Sequence, residues 1–395
     1  MLRKSINRRS FIKNAGLASA GTLLIPSFLS AWPENSSQYV GKKLIVIQLS
    51  GGNDGLNTVI PYRNDILFRL RPDLVYDPNK SLKITDEVAL NPSMGGLRSI
   101  YDNGDFAILN KVGYPDPNRS HFRSMDIWQT ASDSNEYLDS GWIGRFLDQR
   151  CEDCNSINAI EISDTLDLAL KGNSIKGLPL KNINQFFQTS KRVELSASHH
   201  QHEMAEFLYK TIANTKNSAN YIYEHTKIYK SKLDYPNTGI GKDLKTIAEM
   251  INSGLECQVY YASLNGFDTH NNQISKQERL LSQYSEAVEV FINDLKAANN
   301  WNDCLIMTFS EFGRRVAQNA SQGTDHGKAN NMFLMGGSLK QHGIINSMPD
   351  LVNLDDGDVA YEIDFRQVYA TILDNWLEVE HPQILGKSYS KLNFV

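Results

Sequence analysis

The sequence predicts an α/β fold in which a mostly parallel sheet is covered on both faces by helices. Three observations carry this. Short apolar, β-branched runs such as Lys43–Leu49 have the length of strands buried on both faces. Longer stretches with helical spacing separate them, and that alternation is the pattern of parallel strands joined by helical crossovers. Polar loops follow several of the runs, and in open α/β sheets ligands bind at those carboxyl ends. The 395 residues, 41% hydrophobic and 22% charged, suffice for one large core.

The N-terminus is set apart from the fold. Asn7-Arg8-Arg9-Ser10-Phe11-Ile12-Lys13 is a twin-arginine signature, and the apolar stretch Asn14–Ala31 follows it. Together they read as a Tat export signal over residues 1–31, with the Tat translocase as a partner during export to the periplasm or cell surface. Leu29-Ser30-Ala31 is a weak small-x-small site, so cleaved and membrane-tethered forms are both open. Residues 40–395 are read as a single domain. Five of the 40 basic side chains and none of the 45 acidic ones fall in residues 1–31, which leaves the remainder acidic by ten charges. No clustered basic face is present, which argues against nucleic-acid binding. No oligomeric state is read from the sequence.

Taken in order, Lys43–Leu49 is a central strand, followed at once by Ser50-Gly51-Gly52-Asn53-Asp54-Gly55. The glycines allow close backbone approach there, although their spacing fits no nucleotide fingerprint. Asp54 reads as a turn residue or a metal ligand. Residues 62–104 are polar and mixed. Phe106–Asn110 is the next strand, and a loop leads from it to a helix beginning at Ser120. Ser120 reads either as the N-cap of that helix or as a hydroxyl nucleophile where the helix dipole favours negative charge. Ser140–Leu147 is a second helix and Ile157–Ile162 a strand.

Cys151 and Cys154 form a C-x-x-C pair, a local disulfide or two free thiols; a zinc ribbon would need two such pairs. Cys257 and Cys304 read as core residues. Residues 163–240 read as a helical insertion, with amphipathic stretches at Glu194–Ala213 and Ser218–Leu233. His199, His200 and His202 lie in it and read as solvated surface. Lys242–Met250 is a helix. Val259–Leu264 is a strand that runs into Asn265-Gly266-Phe267-Asp268-Thr269-His270. Residues 276–299 are a helix. Leu305–Phe309 is a strand ending on Ser310-Glu311; the loop Gly323-Thr324-Asp325-His326-Gly327 precedes a further apolar run, Met332–Met335. Arg366–Leu377 is the last helix.

Three post-strand loops thus carry metal-ligand types: Asp54; Asp268 and His270; Glu311, Asp325 and His326. Carboxylates with imidazoles suit a divalent ion. Such an ion polarises an ester oxygen and activates a hydroxyl or water.

The segments LIVIQLSGGNDGLNTVIPY, SHFRSMDIWQTA, GWIGRFLD, ASLNGFDTHNNQ, TFSEFGRR and GTDHGKANNMFLMGG resemble a family of Tat-exported bacterial proteins, the domain-of-unknown-function family fifteen-oh-one. The resemblance spans Lys43 to Leu377. That family is similar to the alkaline phosphatase and sulfatase superfamily, which implies a three-layer α/β/α sandwich, one or two bound metals and a nucleophile at a helix start. By resemblance Asp54, Asp268, His270, Glu311 and His326 stand at ligand positions and Ser120 at the nucleophile. Phe312 stands where a histidine is expected, and no Cys-x-Pro-x-Arg motif is present.

Two functions follow as expectations. One is a metal-dependent hydrolase (Zn, Mn, Mg or Ca) of an anionic small-molecule or polymer ester, such as a phosphate or sulfate. Ser120 attacks, and Arg119, Arg123 or Arg314 clamps the anion. The other is a binding or structural protein of the cell envelope that keeps the fold without the chemistry.

Overall fold

The computed structural model describes residues 41–150, 158–192 and 215–395. The export signal, Cys151 and Cys154, His199, His200 and His202, and the stretch Glu194–Ala213 lie outside the described residues. Among the described residues no helix is long and apolar enough to cross a membrane.

The central sheet contains β1 Lys43–Ser50, β2 Phe106–Gly113, β3 Ala159–Glu161, β4 Leu178–Pro179, β5 Val259–Asn265, β6 Cys304–Phe309, β7 Asn330–Gly336, β8 Gly343–Ile344 and β9 Ile363–Asp364. Its spatial order is β8–β2–β7–β6–β1–β5–β3–β4, with β9 also paired to β2. β5 and β6 flank β1 in parallel, and β3 and β4 extend that direction. β7 is antiparallel to both of its neighbours, β6 and β2. The four long apolar runs therefore share one mostly parallel sheet, and every residue from Leu44 to Leu49 is buried. The direction of β7 matters for function. It enters the sheet where its neighbours leave it, so the loop before β7 meets the loops after β1, β5 and β6 at one edge.

The helices that build the layers include α1 Gly95–Asp102, α2 His121–Thr130, α3 Trp142–Arg150, α4 Gly239–Asn252, α5 Gln273–Ala297 and α6 Phe365–Thr371. Two adjacent residues of β6 reveal the layering. Thr308 accepts a 2.7 Å hydrogen bond from Tyr284 of α5, whereas Phe309 stacks on Trp128 of α2 with ring centroids 5.1 Å apart. Successive strand residues face opposite sides. α5, with α1 and α4 against it, thus covers one face. α2 covers the other, joined to α6 by the Trp128–Phe365 stack, and α6 is joined in turn to α3 by Tyr369–Trp142. The result is three layers around one large core, with a smaller apolar cluster that includes Leu56, Ile60, Val316 and Leu351 beside it. α5 earns its place through buried Leu280, Leu281, Tyr284, Ala287, Val288, Phe291 and Leu295 at helical spacing. α6 starts at a capping box between Asp364 and Gln367.

Some expectations need refinement. Residues 62–104 hold α1 and part of a small sheet, in which Val59–Ile60, Ala89–Leu90 and Leu82–Lys83 pair in that order. The 163–240 segment is not purely helical: it supplies β4 to the sheet edge before the helix Ile183–Arg192 and a helical stretch at 215–225. The last helix passes into a π-turn at Ile372–Trp376. Cys257 and Cys304 are buried free thiols, and burial pushes both up to about 12.

Candidate metal centre

The loop after β1 makes the site possible. Gly51 and Gly52 have φ of +116° and +72°. A Cβ on Gly51 would lie 2.4 Å from the Asp268 backbone nitrogen, and one on Gly52 would lie 2.3 Å from the Phe312 ring. Only glycine allows the loops after β1, β5 and β6 to touch in this way. Arg314, with a fully buried side chain, ties them together. It donates to the carbonyls of Gly51, Gly52, Phe267 and Thr324 and, at 2.8 Å, to Asp268 Oδ1.

Three histidines converge on Asp268. The Nε2 atoms of His270 and His326 lie 3.0 Å apart and 3.0 and 3.1 Å from Asp268 Oδ1. His121, the first residue of α2, brings its Nε2 to 3.5 Å from Asp268 Oδ2. Each ring is held from behind at Nδ1. His326 Nδ1 lies 2.7 Å from the Arg119 carbonyl oxygen, His270 Nδ1 lies 3.1 Å from Asp325 Oδ1, and His121 Nδ1 lies 2.8 Å from Glu311 Oε1. All three partners are acceptors, so in the neutral rings Nδ1 carries the hydrogen and Nε2 presents a lone pair. The lone pairs point toward an oxygen that is itself an acceptor. Among the described residues the buried His121 Nε2 has no hydrogen-bond partner. A cluster of mutually facing acceptors, each histidine backed by an oxygen, is the arrangement of a metal site with its supporting shell. One ligand atom each from His121, Asp268 and His326 fits within a 4.8 Å span.

The electrostatics agree with this. Burial alone would raise the Asp268 carboxyl, but the hydrogen bond and charge of the Arg314 guanidinium lead the effects that outweigh it and hold the group at about 2. Burial lowers His326 below its ordinary value, which favours the neutral, ligating ring. His121 is raised by its hydrogen bond to Glu311, so a metal there competes with a proton. Asp325 is lowered by Asn319 and by His270.

The predicted residues sort into three groups. Asp268, His270 and His326 meet in the cluster. Glu311 and Asp325 stand one step behind it, gripping His121 and His270. Asp54 is not brought there. It is buried, caps the short helix Gly55–Thr58 through the Leu56 and Asn57 amides, and pairs with Arg71 at 2.7 Å and Gln273 at 2.6 Å. Its oxygens are fully engaged, so the ligand reading of Asp54 is corrected to a structural one.

The arginines are likewise committed: Arg314 within the loops, Arg119 to Asp356 and Asp358, and Arg123 to the carbonyls of Asp133, Ser134 and Glu136. Each already donates to oxygens of this chain, Arg119 through Nη2 alone. Ser120 occupies the N-cap position of α2 but its side chain makes no capping bond. It is exposed and lies between Arg119, whose carbonyl holds His326, and His121. Phe312 packs on the rings of His121 and His326, with centroids 4.9 and 4.6 Å away, so it walls the site where a histidine is absent. His121 escaped the sequence reading. A histidine immediately after an N-cap, in a loop–helix junction following a buried strand, was the available signal. From this cluster a cleft of about 530 Å³ runs along the sheet edge.

A family described as proteins of unknown function (DUF1501) matches residues 79–385. The chain belongs to that family. No curated protein matches the sequence. Among solved structures, it is similar to the lipoteichoic acid synthase LtaP from Listeria monocytogenes at 10% identity, covering 93% of this chain and 80% of that one with a TM-score of 0.40. A protein in the alkaline phosphatase superfamily from Vibrio parahaemolyticus is similar at 9% identity, with 98% and 80% covered and a TM-score of 0.39. The C-terminal periplasmic domain of EcEptC from Escherichia coli is similar at 9% identity, with 91% and 90% covered and a TM-score of 0.40.

Proposed function

We propose that this protein is an exported, metal-dependent ester hydrolase whose single divalent ion is held by His121, Asp268, His270 and His326. The observation that carries the reading is the set of three Nε2 lone pairs facing Asp268, each fixed by an acceptor behind the ring. Three imidazoles and one carboxylate suit Zn or Mn better than Mg or Ca, which prefer all-oxygen sites. When bound, such an ion supplies a Lewis acid for the ester oxygen and lowers the pKa of a neighbouring hydroxyl.

The chain's own residues do the rest. Ser120 offers a hydroxyl free of capping duty, at a helix start where amide N–H groups favour developing negative charge. Attack by that hydroxyl on the ester centre forms a serine ester and releases the alcohol, and water then cleaves the serine ester. Glu311 and Asp325 keep His121 and His270 in one tautomer and orientation. Arg314 holds Asp268 ionised. Phe312 excludes water from beneath the rings.

The test has two parts. Protein reconstituted with Zn or Mn carries one ion per chain by elemental analysis, and His326→Ala loses it; no stoichiometric metal in the wild type would overturn the reading. Hydrolysis is then measured on aryl phosphate, sulfate and carboxylate esters. Ser120→Ala lowers kcat by orders of magnitude while metal content and fold persist. The commitment of Arg119 and Arg314 to internal partners favours a second reading, a metal-bearing binding protein of the cell envelope. Stoichiometric metal with no turnover on any of these esters selects it. Export belongs to the proposal as well. With Arg8 and Arg9 both replaced by Lys, the protein stays in the cytoplasm on fractionation; normal periplasmic amounts would remove the Tat assignment.

A further inference from the structure

We infer that the cleft beside the metal centre binds an uncharged, polyhydroxylated group, a sugar or short glycan, as the alcohol part of the ester. The position of the ester bond rests on the function proposed above; the binding of the glycan does not.

The cleft starts at His121 and Asp268, crosses the carboxyl ends of β1 and β5, and ends at Glu161 and Asp167. Its volume of about 530 Å³ suits one or two sugar rings. Among the described residues no lysine or arginine lines it. The hydroxyls of Ser50, Ser163, Thr165 and Ser263 do, together with the amides of Gln48 and Gln129. Hydroxyls and amides both donate and accept, which matches a ligand whose hydroxyls do the same.

The far wall excludes negative charge. Glu161 is 3% exposed and its Oε2 accepts a 2.7 Å bond from the Asp167 amide. Burial, and then the neighbouring Asp167 charge, raise Glu161 well above the usual carboxylate range; burial raises Asp167 too. Near neutral pH the pair therefore retains a proton, and it both donates to and accepts from a sugar hydroxyl. A sulfate, phosphate or carboxylate placed there would meet carboxyl oxygens, with Lys171 acting on the pair but not among the lining residues. The near end adds an apolar surface. Phe122 is 86% exposed, follows His121 on α2 and lines the cleft. An aromatic face beside hydroxyls and amides fits a sugar, which has an apolar C–H face and a polar rim.

The experiment is calorimetric titration of metal-loaded and metal-stripped protein with neutral gluco-, xylo-, manno- and galacto-oligosaccharides. A sulfated galactan oligosaccharide and a cationic chitosan oligomer serve as charged probes. At least one neutral oligosaccharide binds, with and without metal, and on the metal-stripped protein, where only the cleft is read, the sulfated probe binds at least about tenfold more weakly. Phe122→Ala, an exposed position that leaves the core intact, weakens the binding roughly fivefold. Thr165→Ala, also exposed, weakens it in the same direction. Tighter binding of either charged probe to the metal-stripped protein, no binding of any neutral oligosaccharide, or an unchanged Phe122→Ala titration overturns the inference. Glycan binding by a protein that carries no metal removes the hydrolase and leaves this inference standing. Metal and turnover of aryl esters without glycan binding do the reverse.

Discussion

At the residue scale, the site separates groups that hold a ligand atom from groups that hold the holder. Asp268 and Asp325 are both acidic residues in loops at the same sheet edge, and their sequence contexts look alike. Only the structure shows one facing three Nε2 atoms and the other gripping His270 from behind. Asp54 looked like a third case because its partner Arg71 lies 17 residues away in a segment with no distinctive pattern. His121 stayed hidden because the adjacent Ser120 carried the stronger signal. Two predictions divide these roles. Asp325→Asn, at an exposed side chain, leaves the fold intact but weakens metal binding about 10–100-fold in a chelator-competition titration. An unchanged affinity would remove Asp325 from the supporting shell. Arg71→Met strands the Asp54 carboxylate in the core and costs about 3–5 kcal/mol of stability, read by denaturant unfolding. Metal stoichiometry of the folded fraction is unaffected. Loss of metal without loss of stability would return Asp54 to the site.

At the element scale, strand identity was legible and strand direction was not. The apolar runs of β1, β2, β5 and β6 announce burial on both faces, but nothing in Met332–Met335 says that β7 runs against them. That reversal brings His326, four residues before β7, to the edge where β5 ends near Asp268. The other decisive element is the turn after β1, where the glycines were readable as permissive backbone but not as a contact with the Asp268 loop. Gly51→Ala tests the contact. The left-handed φ strains any side chain, and the new Cβ drives into the Asp268 amide. The expected cost is at least about 1–3 kcal/mol of stability together with weaker metal binding, because the same displacement moves the ligand. Thermal melting with a metal titration reads both. A loss of stability with metal affinity intact would mean that the turn serves the fold alone.

At the scale of the whole molecule, strand–helix alternation was enough to foresee one sheet between two helical layers, because burial on both faces forces near-continuous apolar runs. The cleft was not foreseeable. Its far wall comes from β3 and the following loop, a region whose short strands carry little pattern, and Glu161 lies within the strand Ile157–Ile162 with nothing around it that marks a site. Its burial makes a prediction about the entire fold. Burial, with Asp167 beside it, pushes Glu161 up to about 8, above its unfolded value. The folded protein therefore holds this proton more tightly than the unfolded chain does. The stabilisation is complete below the unfolded carboxylate pKa and disappears as pH rises through about 8. Glutamine copies the protonated form and cannot lose that proton. Glu161→Gln should thus match the wild type in denaturant unfolding near about pH 5 and become the more stable of the two near about pH 9. Comparing the two proteins at each pH cancels the titrating groups that do not touch Glu161, the metal ligands included, and reads Glu161 together with the adjacent Asp167. Parallel stability curves across that range would show that Glu161 ionises normally, and the cleft wall would then carry two negative charges at neutral pH.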